Sequence, residues 1–171
     1  MEIRLLNPSD AESYWELRLE ALQQNPEAFA TSYEEALKRE NPIEQVASRL
    51  QGNGDFTFGA FHNGKLIGVV TLLQEKVMKM AHKAYILAMY VTPGNRGKSV
   101  GKAILTEAIN HAKQNSEIMK LNLTVVSSNE SAKKLYASLG FKAYGYEKAA
   151  LKVNDKYYDE EHMVLFLQNY N

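Results

Sequence analysis

Apolar positions along the chain recur with two different periods, and the switches between them mark out the elements. Ile3 to Leu6 is a short β-prone run. Ser9 and Glu12 then make a Ser-x-x-Glu capping box, which predicts a helix with Trp15, Leu19 and Leu22 on one face, stopped by Pro26. The polar stretch from Ala28 to Arg39 fits neither period. Asn41-Pro42 opens a second helix that runs through Leu50 and is broken by Gln51-Gly52-Asn53-Gly54. Strand patterning follows: Phe56 to Phe61 and Leu66 to Leu73 flank His62-Asn63-Gly64-Lys65, whose Asn-Gly pair predicts a tight hairpin. A third strand covers Ala84 to Val91.

Helical spacing returns at Val100, Ile104, Leu105, Ala108, Ile109 and Ala112. Lys120 to Val126 reads as a strand, and a helix from Asn129 to Leu139 ends at Gly140. Two tail strands, around Tyr144 to Val153 and Tyr157 to Leu167, are joined by Asn154-Asp155. No internal repeat, low-complexity tract or linker interrupts the series. Residues 1–171 therefore read as a single α/β domain with a mostly antiparallel sheet.

Composition narrows the function. The 171 residues hold 20 basic and 20 acidic side chains, so no global field recruits nucleic acid or an anionic membrane. No long uncharged apolar run predicts a membrane span, and Met1-Glu2-Ile3-Arg4 lacks the pattern of a signal peptide. Cysteine is absent, which removes a disulfide framework, a thiolate zinc site and a cysteine acyl-enzyme, and suits a cytoplasmic protein. His62, His82 and His111 have no metal-ligand spacing, so no metal is expected.

The segment from Tyr85 to Leu105 carries the chemistry. A strand ends at Val91, Pro93-Gly94 turns the chain, and the basic glycine loop Arg96-Gly97-Lys98-Ser99-Val100-Gly101-Lys102 runs into a helix. Free N–H groups at a helix start, with the helix dipole behind them, form a cradle for phosphate. A nucleoside-triphosphate loop would need a glycine where Thr92 stands, and the second Gly-Lys pair is followed by Ala103 rather than a hydroxyl. A dinucleotide fold would need a third glycine and a parallel βαβ setting.

The loop resembles motif A of the GNAT superfamily of N-acetyltransferases, Arg/Gln-x-x-Gly-x-Gly/Ala, here Arg96 to Gly101. A second block, Asn129-Glu130-Ser131-Ala132-Lys133-Lys134-Leu135-Tyr136-Ala137-Ser138-Leu139-Gly140-Phe141, is similar to that family's Asn-x-x-Ala-x-x-Leu-Tyr-x-x-x-Gly-Phe. The element order also agrees: strand, two helices, three strands, helix, strand, helix, two strands. The resemblance implies a GNAT fold, a mixed and mostly antiparallel sheet of about seven strands flanked by four helices.

It further implies acetyl-CoA as donor. Its pyrophosphate would lie on the amides of Arg96, Gly97, Lys98, Ser99, Val100, Gly101 and Lys102. In the family the strand ending at Val91 splays from the one ending at Val126. The pantetheine arm fills that gap beside exposed backbone around Met89 and Val91, an amide there polarises the thioester carbonyl, and Asn129 bonds the arm from the other side. Tyr136 is implied as the general acid for the departing thiolate, although Ala132, Leu135, Tyr136 and Leu139 also fit a packing stripe. Ser99 departs from the glycine usual at its position, which predicts weaker donor binding.

The base is open. Some relatives carry a glutamate where Thr124 stands, and Ala84 to Val91 holds no acid. Glu34, Glu35, Asp159, Glu160 and His162 are candidates, each also explicable as a solvated surface group. Tyr33, Tyr144, Tyr157 and Tyr158 fit either an amine site or packing. The expected reaction is direct transfer of acetyl to a primary amine in a ternary complex, with a small amine as acceptor. A peptide or protein N-terminus, and a non-catalytic acyl-CoA sensor, are the alternatives. Relatives often pair through their tail strands, so a homodimer is a further expectation.

Overall fold

The computed structural model describes residues 1–52 and 54–168, so Asn53 of the expected helix breaker lies outside the described residues. The elements are β1 (Glu2–Leu5), α1 (Ala11–Gln24), α2 (Tyr33–Leu37), α3 (Pro42–Leu50), β2 (Asp55–His62), β3 (Lys65–Gln74) and β4 (Lys83–Val91). They continue with α4 (Val100–Gln114), β5 (Lys120–Val126), α5 (Glu130–Ser138), β6 (Lys142–Val153) and β7 (Lys156–Phe166). The seven strands form one sheet in the order β1-β2-β3-β4-β5-β7-β6. Every neighbouring pair is antiparallel except β4 with β5.

Five α-helices are present where four were expected, because the ambiguous stretch folds one short helix of its own. Its signal is local. Ser32 Oγ accepts from Glu35 N–H at 3.1 Å and Glu35 Oε2 accepts from Ser32 N–H at 2.8 Å, a closed capping box around α2. The entrance to α1 also differs from expectation. Asn7 Oδ1 accepts from Ser9 N–H at 2.9 Å, and Asp10 Oδ2 accepts from Asn7 N–H at 2.8 Å. The box is therefore Asn7 with Asp10 rather than Ser9 with Glu12, and Arg4 clamps the Asp10 carboxylate with two 2.8 Å bonds. This turns α1 so that Ala11, Tyr14, Leu17, Ala21 and Leu22 are buried, while Trp15 and Leu19 are half-exposed.

The sheet is covered on both faces. One cluster, including Val70, Leu72, Ala84, Ile86, Ile104, Leu105, Ala108 and Tyr136, packs under α4 and α5. The other, including Tyr14, Leu17, Ala21, Val46, Val69 and Tyr90, packs under α1 and α3. The β2–β3 hairpin closes as its sequence predicts, with Asn63 and Gly64 both at positive φ (49° and 76°). Among the described residues no helix is long and apolar enough to cross a membrane.

Strand β4 carries two irregularities that matter below. Val69 pairs with Tyr90, but Thr71 pairs with Leu87, so β4 holds one extra residue opposite β3. Ala88, within that bulge, has φ 52°. On the other side β4 pairs with β5 only at Lys83–Lys120, Ala84–Leu121 and Tyr85–Asn122. From Ile86 to Val91 the two strands part.

Candidate active site

The parting of β4 and β5 opens a cleft of about 990 Å³ that passes from the α4/α5 side of the sheet to the α1/α3 side. Met89, Val91, Arg96, Gly97, Ser99, Val100, Gly101, Lys102, Asn129 and Tyr136 all line it. Of the residues expected to meet the donor, Lys98 is the one that does not line it. Its Nζ turns back to donate to Gly94 O at 2.8 Å.

The glycine loop is shaped by its backbone. Pro93–Asn95 makes one 3₁₀ turn, Gly97 has φ 74°, and Ser99 sits at φ 60° immediately before α4. Ser99 O accepts from Ala103 N–H at 3.0 Å, so helical bonding starts there and the N–H groups of Val100, Gly101 and Lys102 come before it. They have no helical partner, and the positive end of α4 lies behind them, an arrangement that can accept an anion. Gly101 meets a second demand. A Cβ there would lie 3.0 Å from Met89 Cε and 3.3 Å from Leu135 Cδ2, so glycine lets α4 approach β4 and α5 closely without displacing those side-chain ends.

Arg96 is spent on architecture. Its Nε donates to Val91 O at 2.9 Å and its Nη2 to Asn25 Oδ1 at 2.8 Å, tying the loop to the end of β4 and the end of α1. With Arg96 and Lys98 bonded to Val91, Asn25 and Gly94, Lys102 is the basic side chain of this loop without a hydrogen bond or ion pair among the described residues. Ser99 shows why glycine suits its position: the left-handed conformation strains any residue with a Cβ by about 1–2 kcal/mol. The serine hydroxyl makes no cap bond in return. Ser99→Gly is expected to raise stability by about 1 kcal/mol and to tighten acetyl-CoA binding, read by denaturant melts and calorimetry.

Asn129 caps α5, its Oδ1 accepting from Ala132 N–H at 3.1 Å, which leaves its NH₂ free to face the cleft. Tyr136, about two turns further on, is only 7% exposed and stacks edge-on against Phe141 at 6.0 Å. Burial pushes its phenol up to about 12. Its ring packs in the core while the residue also lines the cleft.

Across the sheet the alternation of β7 turns Glu160 and His162 into the same cleft. Burial raises the Glu160 carboxyl above its ordinary range, with Glu147 adding to the rise and His162 opposing it. His162 is held between Thr124 Oγ1 and Glu147 Oε2, each 3.5 Å from a ring nitrogen, with the Tyr144 ring 6.0 Å away. The other candidates fall elsewhere. Glu35 closes its capping box and Glu34 lies outside the cleft. Asp159 accepts from Tyr146 Oη at 2.6 Å and Ala149 N–H at 2.8 Å. Of the four candidate tyrosines only Tyr144 reaches the cleft, joined by Tyr14 and Tyr85.

The α1/α3 end holds residues that the sequence reading did not single out: Trp15, Arg18, Arg39 and Arg49. Their signal was available. Arg18 lies four residues after Tyr14 and four before Leu22, and Arg49 three after Val46, so each cation stands on the buried face of its helix. His111 packs against Phe56 and Phe58, with ring centroids 4.4 and 5.4 Å apart.

Comparison with known proteins agrees with this architecture. Residues 3–162 match the Acetyltransferase (GNAT) domain family. The spermidine N(1)-acetyltransferase of Thermoplasma acidophilum is 29% identical over 92% of this chain and 98% of its own. A probable acetyltransferase from Staphylococcus epidermidis superposes with TM-score 0.78 at 29% identity, covering 96% of this chain and 98% of the other. The yncA protein of Salmonella typhimurium, solved with its cofactor acetyl-CoA, superposes with TM-score 0.84 at 18% identity over 100% of this chain and 96% of the other. With the family matched over all but the ends of the sequence, the chain belongs to the GNAT acetyltransferases, enzymes that take their acetyl group from acetyl-CoA.

Proposed function

We propose that the chain transfers acetyl from acetyl-CoA to a primary amine on a small molecule, by direct attack with both substrates bound. The observation that carries this is the parted seam of β4 and β5, which gives a donor cradle on the α4/α5 side one continuous path to Glu160 and His162 on the other. An amine acceptor also fits the relationship to a spermidine acetyltransferase along nearly the whole chain.

The site's fit to the donor rests on three features already described: the N–H cradle at Val100 to Lys102, the close approach at Gly101, and the unpaired edge of β4. The cradle would hold the pyrophosphate, and the β4 edge near Met89 and Val91 would run beside the pantetheine arm. Asn129 would add its free NH₂ from the opposite wall. The donor supplies an activated acyl carbon. The neutral amine nitrogen attacks it, a nitrogen–carbon bond forms, and the carbon–sulfur bond breaks. An N–H group of β4 in the bulge stabilises the oxyanion. The amine's proton leaves toward Glu160 or His162, and Tyr136 gives its phenolic proton to the departing thiolate. A phenol held near 12 stays protonated at every working pH, as this role requires.

Titration with acetyl-CoA followed by a thiol-release assay with a panel of amines tests the reading. Donor binding together with amine-dependent release of CoA is expected. No donor binding at millimolar concentration would sink it, and tight donor binding without turnover of any amine would favour the sensor alternative.

A further inference from the structure

The acceptor end of the cleft is cationic, and this rests on, and sharpens, the reading above. The chain as a whole has a net charge of zero, yet among the described residues the cleft lining holds one carboxylate, Glu160, against Arg18, Arg39, Arg49 and Arg96, besides Lys102 at the start of α4. Arg96 is bonded into the donor loop. The other three converge on the opposite side of the sheet, from α1, the end of α2, and α3.

None of the three has a carboxylate within 4.0 Å among the described residues. Arg18 and Arg49 are held by rings instead: Arg18 Cζ lies 4.5 Å from the Phe29 centroid and Arg49 Cζ 5.0 Å from that of Tyr14. Arg49 Nη2 is shut off from solvent and has no hydrogen-bond partner among the described residues. Burial, and then the like charges of Arg39 and Arg49, lower the Arg18 pKa, partly offset by Tyr14. A half-buried arginine with an idle N–H and like-charged neighbours is costly unless something anionic completes it.

The donor's phosphates do not supply that anion by position. Their cradle is the start of α4, on the far face of the sheet, whereas the arginines stand over the cluster under α1 and α3. We propose that the acceptor is an amine that also carries a carboxylate or phosphoryl group, held by Arg18, Arg39 and Arg49 while its nitrogen points to Glu160 and the thioester. The planar guanidinium fork matches either oxyanion with two parallel bonds.

Matched acceptor pairs test this: amino acids against their uncharged amides, and aminoalkylphosphonates against the corresponding alkylamines, with spermidine as a purely cationic comparison. The anionic member of a pair is expected to show at least about tenfold higher kcat/KM. Comparison between the two series identifies the oxyanion. Arg49→Gln is expected to raise KM for that acceptor about tenfold or more, leaving KM for acetyl-CoA unchanged, and Arg49→Lys to recover part of the loss. Arg18→Gln should act alike. Equal use of both members of each pair, preference for spermidine, or variants that weaken donor and acceptor equally would overturn the proposal.

Calorimetric titration of the same amines into the protein–CoA complex separates the two levels. Anion-selective binding lost in Arg49→Gln, with no turnover, supports the arginine site while sinking the transferase reading. Turnover without anion preference sinks the arginine site alone. Neither binding nor turnover sinks both.

Discussion

Tyr136→Phe will bind acetyl-CoA as the parent chain does and lose about 10²–10⁴-fold in kcat, the range of a removed general acid. The substitution deletes one oxygen. The ring keeps its contact with Phe141 and its place among Ala108, Leu123 and Val125, so the fold is not disturbed. Because burial holds the phenol near 12, the loss should be uniform from pH 6 to 9 and leave the shape of the pH profile unchanged. A variant with full kcat would assign Tyr136 to packing alone. If the loss were confined to pH below 8 and vanished above it, the phenol would have to titrate far below its buried value. Burst and steady-state thiol release, with calorimetric donor binding beside them, give the readouts.

Glu160→Gln carries the second large effect. As the half-buried carboxylate of the cleft, Glu160 works as a base only when ionised, and its raised pKa means that ionisation comes at a higher pH than for an ordinary glutamate. Activity of the parent should therefore rise as pH passes upward through that raised pKa. With an acceptor that is already neutral across the range, kcat in Glu160→Gln should fall about 10²-fold or more and lose this limb. His162→Gln should keep the limb if Glu160 is the base. The opposite result, a limb lost in His162→Gln and kept in Glu160→Gln, would move the role to the histidine. The sign for stability runs the other way: a carboxyl with a raised pKa in the fold favours folding most below its unfolded pKa, and that contribution is lost as pH rises through the folded one. Glu160→Gln should thus be more stable than the parent at pH 8.

Much of this was legible in the sequence, for reasons that differ by region. Local chemistry was readable where a few adjacent residues decide the outcome. Asn63-Gly64 closed its hairpin, Asn41-Pro42 opened α3, and the core positions of α4, from Val100 to Ala112, lie on one buried face as their spacing implied. The shape of the glycine loop was readable because its strand, turn, glycine and helix start follow in immediate succession.

Competition between signals hid the rest. Asn7 and Asp10 outbid Ser9 and Glu12 at the start of α1 because Arg4, on the preceding strand, fixes the Asp10 carboxylate. That long-range choice rotated the helix and changed its buried face. The arginine-lined end of the cleft depends on residues far apart in sequence, Arg18 with Phe29 and Arg49 with Tyr14, which meet only after α1 and α3 pack. Sorting Glu160 from Asp159 needed the pairing register of β6 and β7. One position decides whether a carboxylate faces the cleft or braces Tyr146 and Ala149.

The extra residue near Ala88 means that β4 is written in two phases. Ala84 and Ile86 face the α4 side of the sheet, yet beyond the bulge that side is taken by Met89 and Val91, while Tyr90 belongs to the other. An all-apolar strand such as Tyr85-Ile86-Leu87-Ala88-Met89-Tyr90-Val91 conceals the change, since either phase looks equally plausible on paper. Its length, however, is not free. Surface loops of this fold can gain or lose a residue and only their own tips shift. A single residue lost from this strand would swap the sides of everything up to Val91, sending Tyr90 from Glu20 on α1 into the packing beneath α4. β4 therefore works as a counted spacer, in which the number of residues is as much a part of the specification as their identity.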